Sequence, residues 1–461
     1  MSFPHEIFKA YDIRGIVDQS LTEEMCFLIG KALGSEAQKQ GVTETVIGRD
    51  GRLSGPRLGE ALANGFMAVG IDVIDVGMVP TPTLYFSTQH FKNGTGVQVT
   101  GSHNPPEYNG LKMMLNGTTL SGQAIQDLKQ RILDDDFADC QEKDQGTKRE
   151  ESVLDLYCDK IIQDINLTRP LKVVIDSGNG VAGAAAPQVF KALGCDTIEL
   201  FCEVDGTFPN HHPDPSQLEN LQDLIAAVKQ HDADFGMAFD GDGDRLGVVS
   251  AEGQVIWPDR QMLLFAESIL TDSPGSEIIF DVKCSKILPA AIQAAGGKAT
   301  MWKTGHSFIK SKLKETGAAL AGEMSGHIFF NDRWGGFDDG IYAGARLCEL
   351  LSKSSQSATE VFNALPNTVN TPELRLEMNE GEHYQLVDDL VAAAQFDNGE
   401  VSRIDGLRVD FENGFGLIRA SNTTPTVIMR YEADSDNALV SIQEQFRTLL
   451  LSVRNDLDLP F

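Results

Sequence analysis

Three stretches of the chain repeat one pattern of apolar and polar positions. ETVIGRDGR, LKVVIDSGNG and SEIIFDVKCS each begin with a short run rich in Val and Ile that stops at a polar turn. A stretch with helical periodicity follows, a glycine closes it, and a second apolar run begins. Such strand–helix–strand units favour parallel sheets covered by helices. Because the copies lie about 100 residues apart, the sequence predicts three related α/β domains.

The pattern changes after about residue 366. ELRLEM, a helix through HYQLVDDLVAAA, strand-like runs ending in FGLIRA and TVIMRYEAD, and a final helix through IQEQFRTLLLSV predict a smaller α+β unit. The predicted domains are therefore residues 1–150, 151–252, 253–366 and 367–461.

Length and composition agree with several folded domains. The chain has 461 residues, which at roughly 150 residues per domain suggests about three domains. Its apolar fraction is 41% and it contains 44 glycines, as suits a folded α/β protein with many turns. The net charge of −29 argues against a nucleic-acid partner, because phosphate neutralisation needs Lys and Arg. An anionic small substrate would require basic residues to converge locally; otherwise the charge is a solvated acidic surface.

Cysteine usage and hydropathy indicate the compartment. The seven cysteines are dispersed without CxxC spacing, which favours reduced thiols over a disulfide framework or a zinc site. The N-terminal MSFPHEIFKAYDIRG lacks an apolar core of signal-peptide length. No segment approaches the roughly 18 continuous apolar residues of a membrane helix. We therefore expect a cytoplasmic protein without a membrane partner.

The first motif with chemical potential is TGSHNPPEYNG, residues 100–110, which follows the strand-like run GVQVT. Gly101 frees the backbone, and the two prolines prevent an immediate helix. Ser102 is thus predicted to lie on a constrained turn at a strand end, where α/β sheets place ligands. A polar turn would also explain the pattern. A Ser–His hydrolase fits less well, since neighbouring side chains usually diverge and no GxSxG elbow occurs.

The second motif is DGDGDR, which follows the strand-like run DFGMAF. Asp240, Asp242 and Asp244 crowd together unless a cation neutralises them, and the intervening glycines let all three carboxylates converge. Hard oxygen ligands suit Mg²⁺ or Ca²⁺. An EF-hand is a poor match, because Arg245 stands where Gly is needed and Ala251 where Glu is needed. The open coordination positions suit a metal that also meets a phosphate oxygen, and a structural turn is the alternative.

Two further loops carry polar groups. GEMSGH, residues 322–327, offers a carboxylate, a hydroxyl and an imidazole for sugar hydroxyls, although alone it equally suits a solvent-exposed loop. RASNTT, residues 419–424, offers an arginine fork and small donors for a phosphate, or forms a polar hairpin turn. Four basic residues lie near polar turns, where each by itself is expected to be a surface charge: Arg14, Lys112, Lys283 and His306.

Taken together, FKAYDIRG, TGSHNPPEYNGLK, DGDGDR, TGHS, GEMSGH and RASNTTPT resemble the α-D-phosphohexomutase family in order and spacing over nearly the whole chain. The run from GEMSGH into FFNDRWGGFDDGIY is most similar to its bacterial phosphomannomutase/phosphoglucomutase branch. The resemblance implies three mixed-sheet α/β domains and a smaller C-terminal α+β domain around a central cleft.

The resemblance also implies roles for individual residues. Ser102 would be the phosphoserine, and its phosphate would share an Mg²⁺ ion with Asp240, Asp242 and Asp244. Glu323 and Ser325 would hold sugar hydroxyls. The non-reacting phosphate would be bound by Arg419, Ser421, Asn422 and Thr423. Four further residues would line the cleft and take part in catalysis: Arg14, Lys112, Arg245 and His306. Three more would line the cleft and bind substrate: Tyr11, Lys283 and His327.

The implied reaction interconverts hexose 6-phosphate and hexose 1-phosphate of mannose or glucose. It would pass through a hexose 1,6-bisphosphate, which also serves as the activator, and the protein would be a monomer or weak dimer. Lys112 or His306 is a candidate general base if its pKa is suitable. The alternatives are a metal-dependent phosphatase with a phosphoserine intermediate and a non-catalytic phosphosugar- or calcium-binding protein.

Overall fold

The apolar runs of the chain form four separate β-sheets in the computed structural model, which describes residues 3–422 and 424–461. Thr423, which the resemblance places among the phosphate-binding residues, lies outside the described residues. Across the part of the chain that is described, no helix combines the length and the apolar character that crossing a membrane requires.

The first sheet and its helices occupy residues 13–150. The strands are β1 (Ile13–Ile16), β2 (Glu44–Arg49), β3 (Asp72–Met78), β4 (Gly96–Val99), β5 (Tyr108–Leu115), β6 (Thr118–Thr119) and β7 (Lys148–Glu150). The helices are α1 (Glu23–Lys39), α2 (Gly55–Ala68), α3 (Thr81–His90) and α4 (Gln123–Leu133). The strand order is β1-β5-β4-β2-β3-β7, with β6 paired to β5. Strands β4, β2, β3 and β7 are parallel, whereas β5 is antiparallel to its neighbours.

The second sheet has the order β12-β11-β10-β8-β9. Its strands are β8 (Lys172–Asp176), β9 (Asp196–Leu200), β10 (Phe235–Phe239), β11 (Leu246–Ser250) and β12 (Val255–Ile256). Its helices are α5 (Leu154–Asp164), α6 (Ala186–Ala192) and α7 (Gln222–Gln230). Strand β8 is parallel to both of its neighbours, β10 and β9, whereas β11 is antiparallel to β10 and to the edge strand β12.

The third sheet has the order β14-β13-β15-β16. Its strands are β13 (Glu277–Asp281), β14 (Lys298–Trp302), β15 (Leu320–Gly322) and β16 (Ile328–Phe330). The helices around it are α8 (Pro258–Asp272), α9 (Ile287–Ala294), α10 (His306–Thr316), α11 (Gly340–Lys353) and α12 (Ala358–Asn363). Again β13 is parallel to both neighbours and an antiparallel strand closes one edge.

The fourth sheet is antiparallel throughout its described pairs. Its strands are β17 (Val369–Asn370), β18 (Leu374–Glu377), β19 (Gly399–Ser402), β20 (Leu407–Phe411), β21 (Gly414–Ala420) and β22 (Thr426–Ala433). Two helices pack on it, α13 (Glu382–Ala393) and α14 (Asp436–Val453). This is the smaller α+β unit that the change of pattern predicts.

The predicted repeat is confirmed. β2-α2-β3, β8-α6-β9 and β13-α9-β14 each join two parallel strands through one helix. The sheets are nevertheless mixed, because each of the three also has antiparallel strand pairs. The second and third sheets share one apolar core that runs from Tyr157 to Phe362, whereas the first and fourth have cores of their own.

Side-chain caps fix where several helices begin. Thr22 accepts a hydrogen bond from the backbone N–H of Met25 at the start of α1. Ser357 and Glu360 form a reciprocal capping box at α12. Such caps satisfy backbone donors that a helix leaves unpaired, each contributing about 1 kcal/mol.

The carboxyl ends of parallel strands place the candidate residues. β4 leads into the loop of Ser102, β10 into DGDGDR, β13 into Lys283 and β15 into Glu323. Open α/β sheets bind ligands at these ends, so three sheets contribute loops to one cleft.

Candidate active site

A cleft of about 1370 Å³ lies between loops from all four sheets. Every predicted site residue that the structure describes lines it, except the three aspartates. The lining residues from that set are Tyr11, Arg14, Ser102, Lys112, Arg245, Lys283, His306, Glu323, Ser325, His327, Arg419, Ser421 and Asn422. Asp240, Asp242 and Asp244 are fully buried behind Ser102, at the end of the cleft nearest the first two sheets.

Ser102 faces the acidic loop. Its hydroxyl Oγ donates to Asp240 Oδ2 at 2.9 Å, and its backbone N–H donates to Thr100 Oγ1 at 2.8 Å. The residue has φ of 49°, a left-handed conformation that is uncommon for a side chain other than glycine. On the facing loop, a Cβ at Gly241 would collide with the Ser102 carbonyl oxygen. Glycine at 241 therefore permits the close approach of these two loops.

The pKa values of the three aspartates are shifted in different directions. Burial and repulsion from its two neighbours raise the pKa of Asp240. Burial also disfavours ionisation of Asp242, but the Lys112 ammonium and the Thr81 hydroxyl outweigh it and lower the pKa of Asp242. Thr81 Oγ1 and Lys112 Nζ donate to Asp242 Oδ2 at 2.5 and 2.7 Å.

The aspartate triad fits a hard divalent cation. One oxygen from each carboxylate lies within 4.8 Å of the other two. Asp242 Oδ1 is buried without a hydrogen-bond partner among residues 3–422 and 424–461, whereas Asp244 Oδ1 lies 3.3 Å from His327 Nε2. Buried carboxylate oxygens are costly to leave unpaired, and an oxygen-only donor set is what Mg²⁺ prefers.

Lys112 is buried at the centre of the site. Its Nζ bridges Asp242 and Asp244 and only 2% of the residue is exposed. Burial opposes the charge, but these carboxylates outweigh it and raise the pKa of Lys112 above its ordinary value. The ammonium therefore persists at neutral pH.

Burial and neighbouring cations favour the neutral form of the His306 imidazole. Burial, Lys310 and Lys112 hold the pKa of His306 well below its ordinary value. Lys310 Nζ lies 3.1 Å from His306 Nδ1 and 2.6 Å from Asp338 Oδ1. A charged Lys310 only donates, and this arrangement makes Nδ1 the acceptor and places the ring proton on Nε2.

The GEMSGH loop is an ordered polar surface. Glu323 is 1% exposed; it accepts a hydrogen bond from the backbone N–H of Gly305 and lies 2.9 Å from His327 Nδ1. Ser325 Oγ lies 3.0 Å from the same ring nitrogen. Burial favours a neutral imidazole, but Asp244 and Glu323 outweigh it and raise the pKa of His327 to about 9.

Basic side chains line the far end of the cleft. Arg419 donates through Nε to Asp405 Oδ2 at 2.9 Å, while its Nη2 is buried with no hydrogen-bond partner in the described part of the chain. Ser421 Oγ accepts from the Thr424 backbone N–H at 3.3 Å. Lys283 is paired with Glu373 at 2.9 Å. These residues supply the local positive charge that the net acidity of the chain does not suggest.

The sequence expectation for the isolated basic residues is wrong. Arg14, Lys112, Lys283 and His306 are each at most 9% exposed, rather than surface charges. Arg14 pairs with Asp12 at 2.6 Å and also donates to the Asn104 side chain, which ties it to the loop of Ser102. The buried partners that neutralise these groups come from distant segments, and one residue type alone does not reveal them.

Several cleft or supporting residues were missed by sequence reasoning. His103, Asn104, Glu373 and Arg375 line the cleft, and Lys310 and Asp338 support His306 from behind. His103 and Asn104 lie inside the quoted TGSHNPPEYNG motif, which was the available signal. For Lys310, the available signal was its position four residues after His306, which places both side chains on one face of a helix. Asp338 had no such local signal.

Comparison with known proteins identifies the family. Successive segments match the phosphoglucomutase/phosphomannomutase alpha/beta/alpha domain I (residues 5–139), domain II (155–253), domain III (257–369) and C-terminal domain (373–449). The chain belongs to the phosphoglucomutase/phosphomannomutase family. The exact domain boundaries stay predictions.

Individual relatives are similar over their full length. A phosphomannomutase/phosphoglucomutase from Pseudomonas putida is 51% identical and the match covers 100% of this chain and 98% of that protein. A phosphoglucomutase from Neisseria meningitidis is 54% identical, with 98% of each chain covered. The crystal structure of a family protein from Burkholderia thailandensis has a TM-score of 0.93, 53% identity and 99% coverage of both chains.

Proposed function

We propose that this protein interconverts the 1-phosphate and 6-phosphate of glucose and mannose by carrying a phosphoryl group on Ser102. Its relatives named phosphomannomutase/phosphoglucomutase support the activity. The observation that carries the role of Ser102 is its hydroxyl, held 2.9 Å from Asp240 at the edge of a cleft lined with cationic side chains.

The reaction consists of two transfers. In the first, the bond between phosphorus and Ser102 Oγ breaks while a sugar hydroxyl forms the new bond to phosphorus. The sugar hydroxyl gives up its proton, and the vacated Ser102 Oγ takes one up. The product is a hexose 1,6-bisphosphate. After the sugar reverses its orientation, the other phosphoryl group returns to Ser102 Oγ and the vacated sugar oxygen regains a proton. Catalysis then depends on positioning and on charge stabilisation.

Asp240, Asp242 and Asp244 would hold Mg²⁺ beside the Ser102 phosphate. When bound, the ion would offset charge on the transferring phosphoryl group. Asp240 also orients the Ser102 hydroxyl in the unphosphorylated protein. Arg245 approaches the same carboxyl, with its Nε 3.7 Å from Asp240 Oδ2, and stabilises negative charge there.

Lys112 and His306 stabilise charge rather than remove the sugar proton. Lys112 Nζ donates to Asp242 and Asp244, which favour its ammonium form, so we assign Lys112 to charge stabilisation. His306 has Nδ1 occupied by Lys310 and offers Nε2–H to an acceptor in the cleft. Neither Lys112 nor His306 is therefore assigned as the general base.

The sugar and its second phosphate would lie toward the third and fourth sheets. Glu323 and Ser325 would receive sugar hydroxyls. Among residues 3–422 and 424–461, Arg419 Nη2 has no hydrogen-bond partner and could donate to a phosphate oxygen. Ser421 and Asn422 line the same end of the cleft. The planar guanidinium of an arginine can donate two parallel hydrogen bonds to two oxygens of a phosphate group.

Steady-state turnover of Ser102→Ala tests the proposal. With Mg²⁺, a catalytic amount of glucose 1,6-bisphosphate and glucose 1-phosphate, formation of glucose 6-phosphate should disappear in this variant. Ser355→Ala, at an exposed serine, is the matched control and should match wild type. Turnover of Ser102→Ala within about tenfold of wild type would refute the role of Ser102, and release of inorganic phosphate at the mutase rate would indicate a phosphatase.

A further inference from the structure

Arg52 lies beneath the loop of Ser102 with a side chain that is 0% exposed. An arginine guanidinium has five N–H donors, and here every one has an acceptor. Nη2 donates to the carbonyl oxygens of Ser102 (2.8 Å) and Asn104 (2.6 Å), Nη1 to those of Pro105 (2.6 Å) and Tyr108 (2.9 Å), and Nε to Asp50 Oδ2 (3.2 Å). We call residues 100–108 the serine loop.

Asp50 fixes the other side of the same loop. Its Oδ2 accepts from Thr100 Oγ1 at 2.7 Å and from the Gly101 backbone N–H at 3.2 Å, while Oδ1 accepts from the Arg52 backbone N–H at 2.9 Å. A Cβ at Gly101 would lie 2.5 Å from the Arg52 guanidinium carbon. Asp50 therefore holds the entry of the serine loop and Arg52 its middle and exit.

A loop of the second sheet seals this arrangement from water. The Phe208 ring lies 5.1 Å from the Arg52 guanidinium carbon. A Cβ at Gly206 would collide with the Gly51 carbonyl oxygen, so the two segments are in close contact. Charge-assisted hydrogen bonds are stronger in such a water-excluded setting than at a surface.

This network accounts for the conformation of Ser102. Its left-handed φ of 49° is unfavourable for serine, and such strain persists only where the surroundings over-determine it. Four backbone carbonyl oxygens of the serine loop accept hydrogen bonds from Arg52, which does not line the cleft. These partly negative oxygens therefore point away from the cleft, where a phosphoryl group on Ser102 would lie. The Ser102 hydroxyl is left facing Asp240.

We propose that Arg52, oriented by Asp50, is a positioning residue for phosphoryl transfer at Ser102. The inference rests on the proposed role of Ser102. Arg52 does not line the cleft itself. Glu323 and Arg419, which would bind the sugar and its second phosphate, belong to the third and fourth sheets. Its loss should therefore slow transfer to and from Ser102 while leaving sugar-phosphate binding almost unchanged.

Arg52→Lys provides the first test, because lysine keeps the charge but offers three donors to five acceptors. We expect kcat with glucose 1-phosphate, and the single-turnover rate at which glucose 1,6-bisphosphate phosphorylates Ser102, to fall by about 100-fold. KM for glucose 1-phosphate should stay within about threefold of wild type. Asp50→Asn, which keeps the side-chain shape, should give a smaller loss of the same kind and remains informative if Arg52→Lys does not fold.

Arg346→Lys is the matched control for a purely structural role. Arg346 is also a buried arginine, 7% exposed, and pairs with Asp332 through both terminal nitrogens at 2.9 and 2.8 Å, away from the cleft. This variant should lower Tm without slowing phosphorylation of Ser102. The inference is overturned if folded Arg52→Lys and Asp50→Asn phosphorylate Ser102 at the wild-type rate. An active Ser102→Ala protein would instead overturn the proposed function itself.

Discussion

Lys112 Nζ lies 2.7 Å from Asp242 Oδ2, which makes a buried ammonium the counter-ion of the carboxylates that would hold a metal. The same amine also contacts Asp244. A single cation thus links strand β5 of the first sheet to the acidic loop of the second. From this position the charge of Lys112 should weaken the binding of a metal cation and at the same time favour phosphoryl transfer.

Lys112→Met should separate these effects. Lys112 is hydrogen-bonded to Asp242 and Asp244, which would hold the metal. Removing its positive charge should tighten Mg²⁺ binding by roughly tenfold or more, because two cations at such short range repel each other by several kcal/mol at the effective dielectric of a protein. At the same time kcat should fall. Isothermal titration of metal-free protein with Mg²⁺ measures the first effect. Lys143→Met, at an exposed lysine, should change neither, and weaker Mg²⁺ binding by Lys112→Met would contradict the account.

Arg419→Ala should weaken binding of the second phosphate. Loss of a charge-assisted contact costs about 1.5–3 kcal/mol, or roughly 10- to 150-fold in kcat/KM. Both directions of the reaction should suffer, because the same group would bind either orientation of the bisphosphate. Initial rates measured from glucose 1-phosphate and from glucose 6-phosphate check this. Arg403→Ala, at an exposed arginine in the same sheet region, is the control, and an unchanged kcat/KM would place the phosphate site elsewhere.

Chelation should abolish activity and added Mg²⁺ should restore it. Asp242→Asn removes one of the buried charges of the triad and should raise the Mg²⁺ concentration needed for half-maximal activity. Titration of activity against free Mg²⁺ gives that concentration, and Asp196→Asn, at an exposed aspartate, should behave as wild type. Full activity in excess chelator would be incompatible with a metal at DGDGDR.

The sugar contacts predict which hexoses react. Glucose and mannose differ only at carbon 2, so both would present the same 3- and 4-hydroxyls to Glu323 and Ser325. Galactose inverts carbon 4, and loss of a hydrogen bond to a charged group costs about 1.5–3 kcal/mol, or 10- to 150-fold. We expect similar kcat/KM for glucose 1-phosphate and mannose 1-phosphate and a much lower value for galactose 1-phosphate. N-acetylglucosamine phosphate should also react slowly because of bulk at carbon 2. Equal rates for glucose and galactose would show that Glu323 does not contact the 4-hydroxyl.

The sequence predicts those parts of the molecule that depend on local pattern. Apolar runs followed by helical periodicity located β2-α2-β3, β8-α6-β9 and β13-α9-β14. Closely spaced polar groups in TGSHNPPEYNG and DGDGDR pointed to the two loops that face each other through Ser102 and Asp240.

Features that depend on pairing between distant segments were not predictable in the same way. Asp50 and Arg52 stand in the GRDGR turn of the repeat, yet their hydrogen-bond partners Thr100 and Ser102 lie 50 residues further on. Burial of Lys112 follows from Asp242 and Asp244, which are on another sheet. A single sequence gives the donor and the acceptor but not the contact between them.

The phosphorylation state of Ser102 tests the central claim most directly. Protein freed of phosphate should be incubated with Mg²⁺ and glucose 1,6-bisphosphate, and then analysed by intact mass and peptide mapping. We predict a gain of one phosphoryl group, on Ser102, and its loss to excess glucose 1-phosphate with formation of the bisphosphate. No gain in mass, or a phosphoryl group on another residue, would contradict the account.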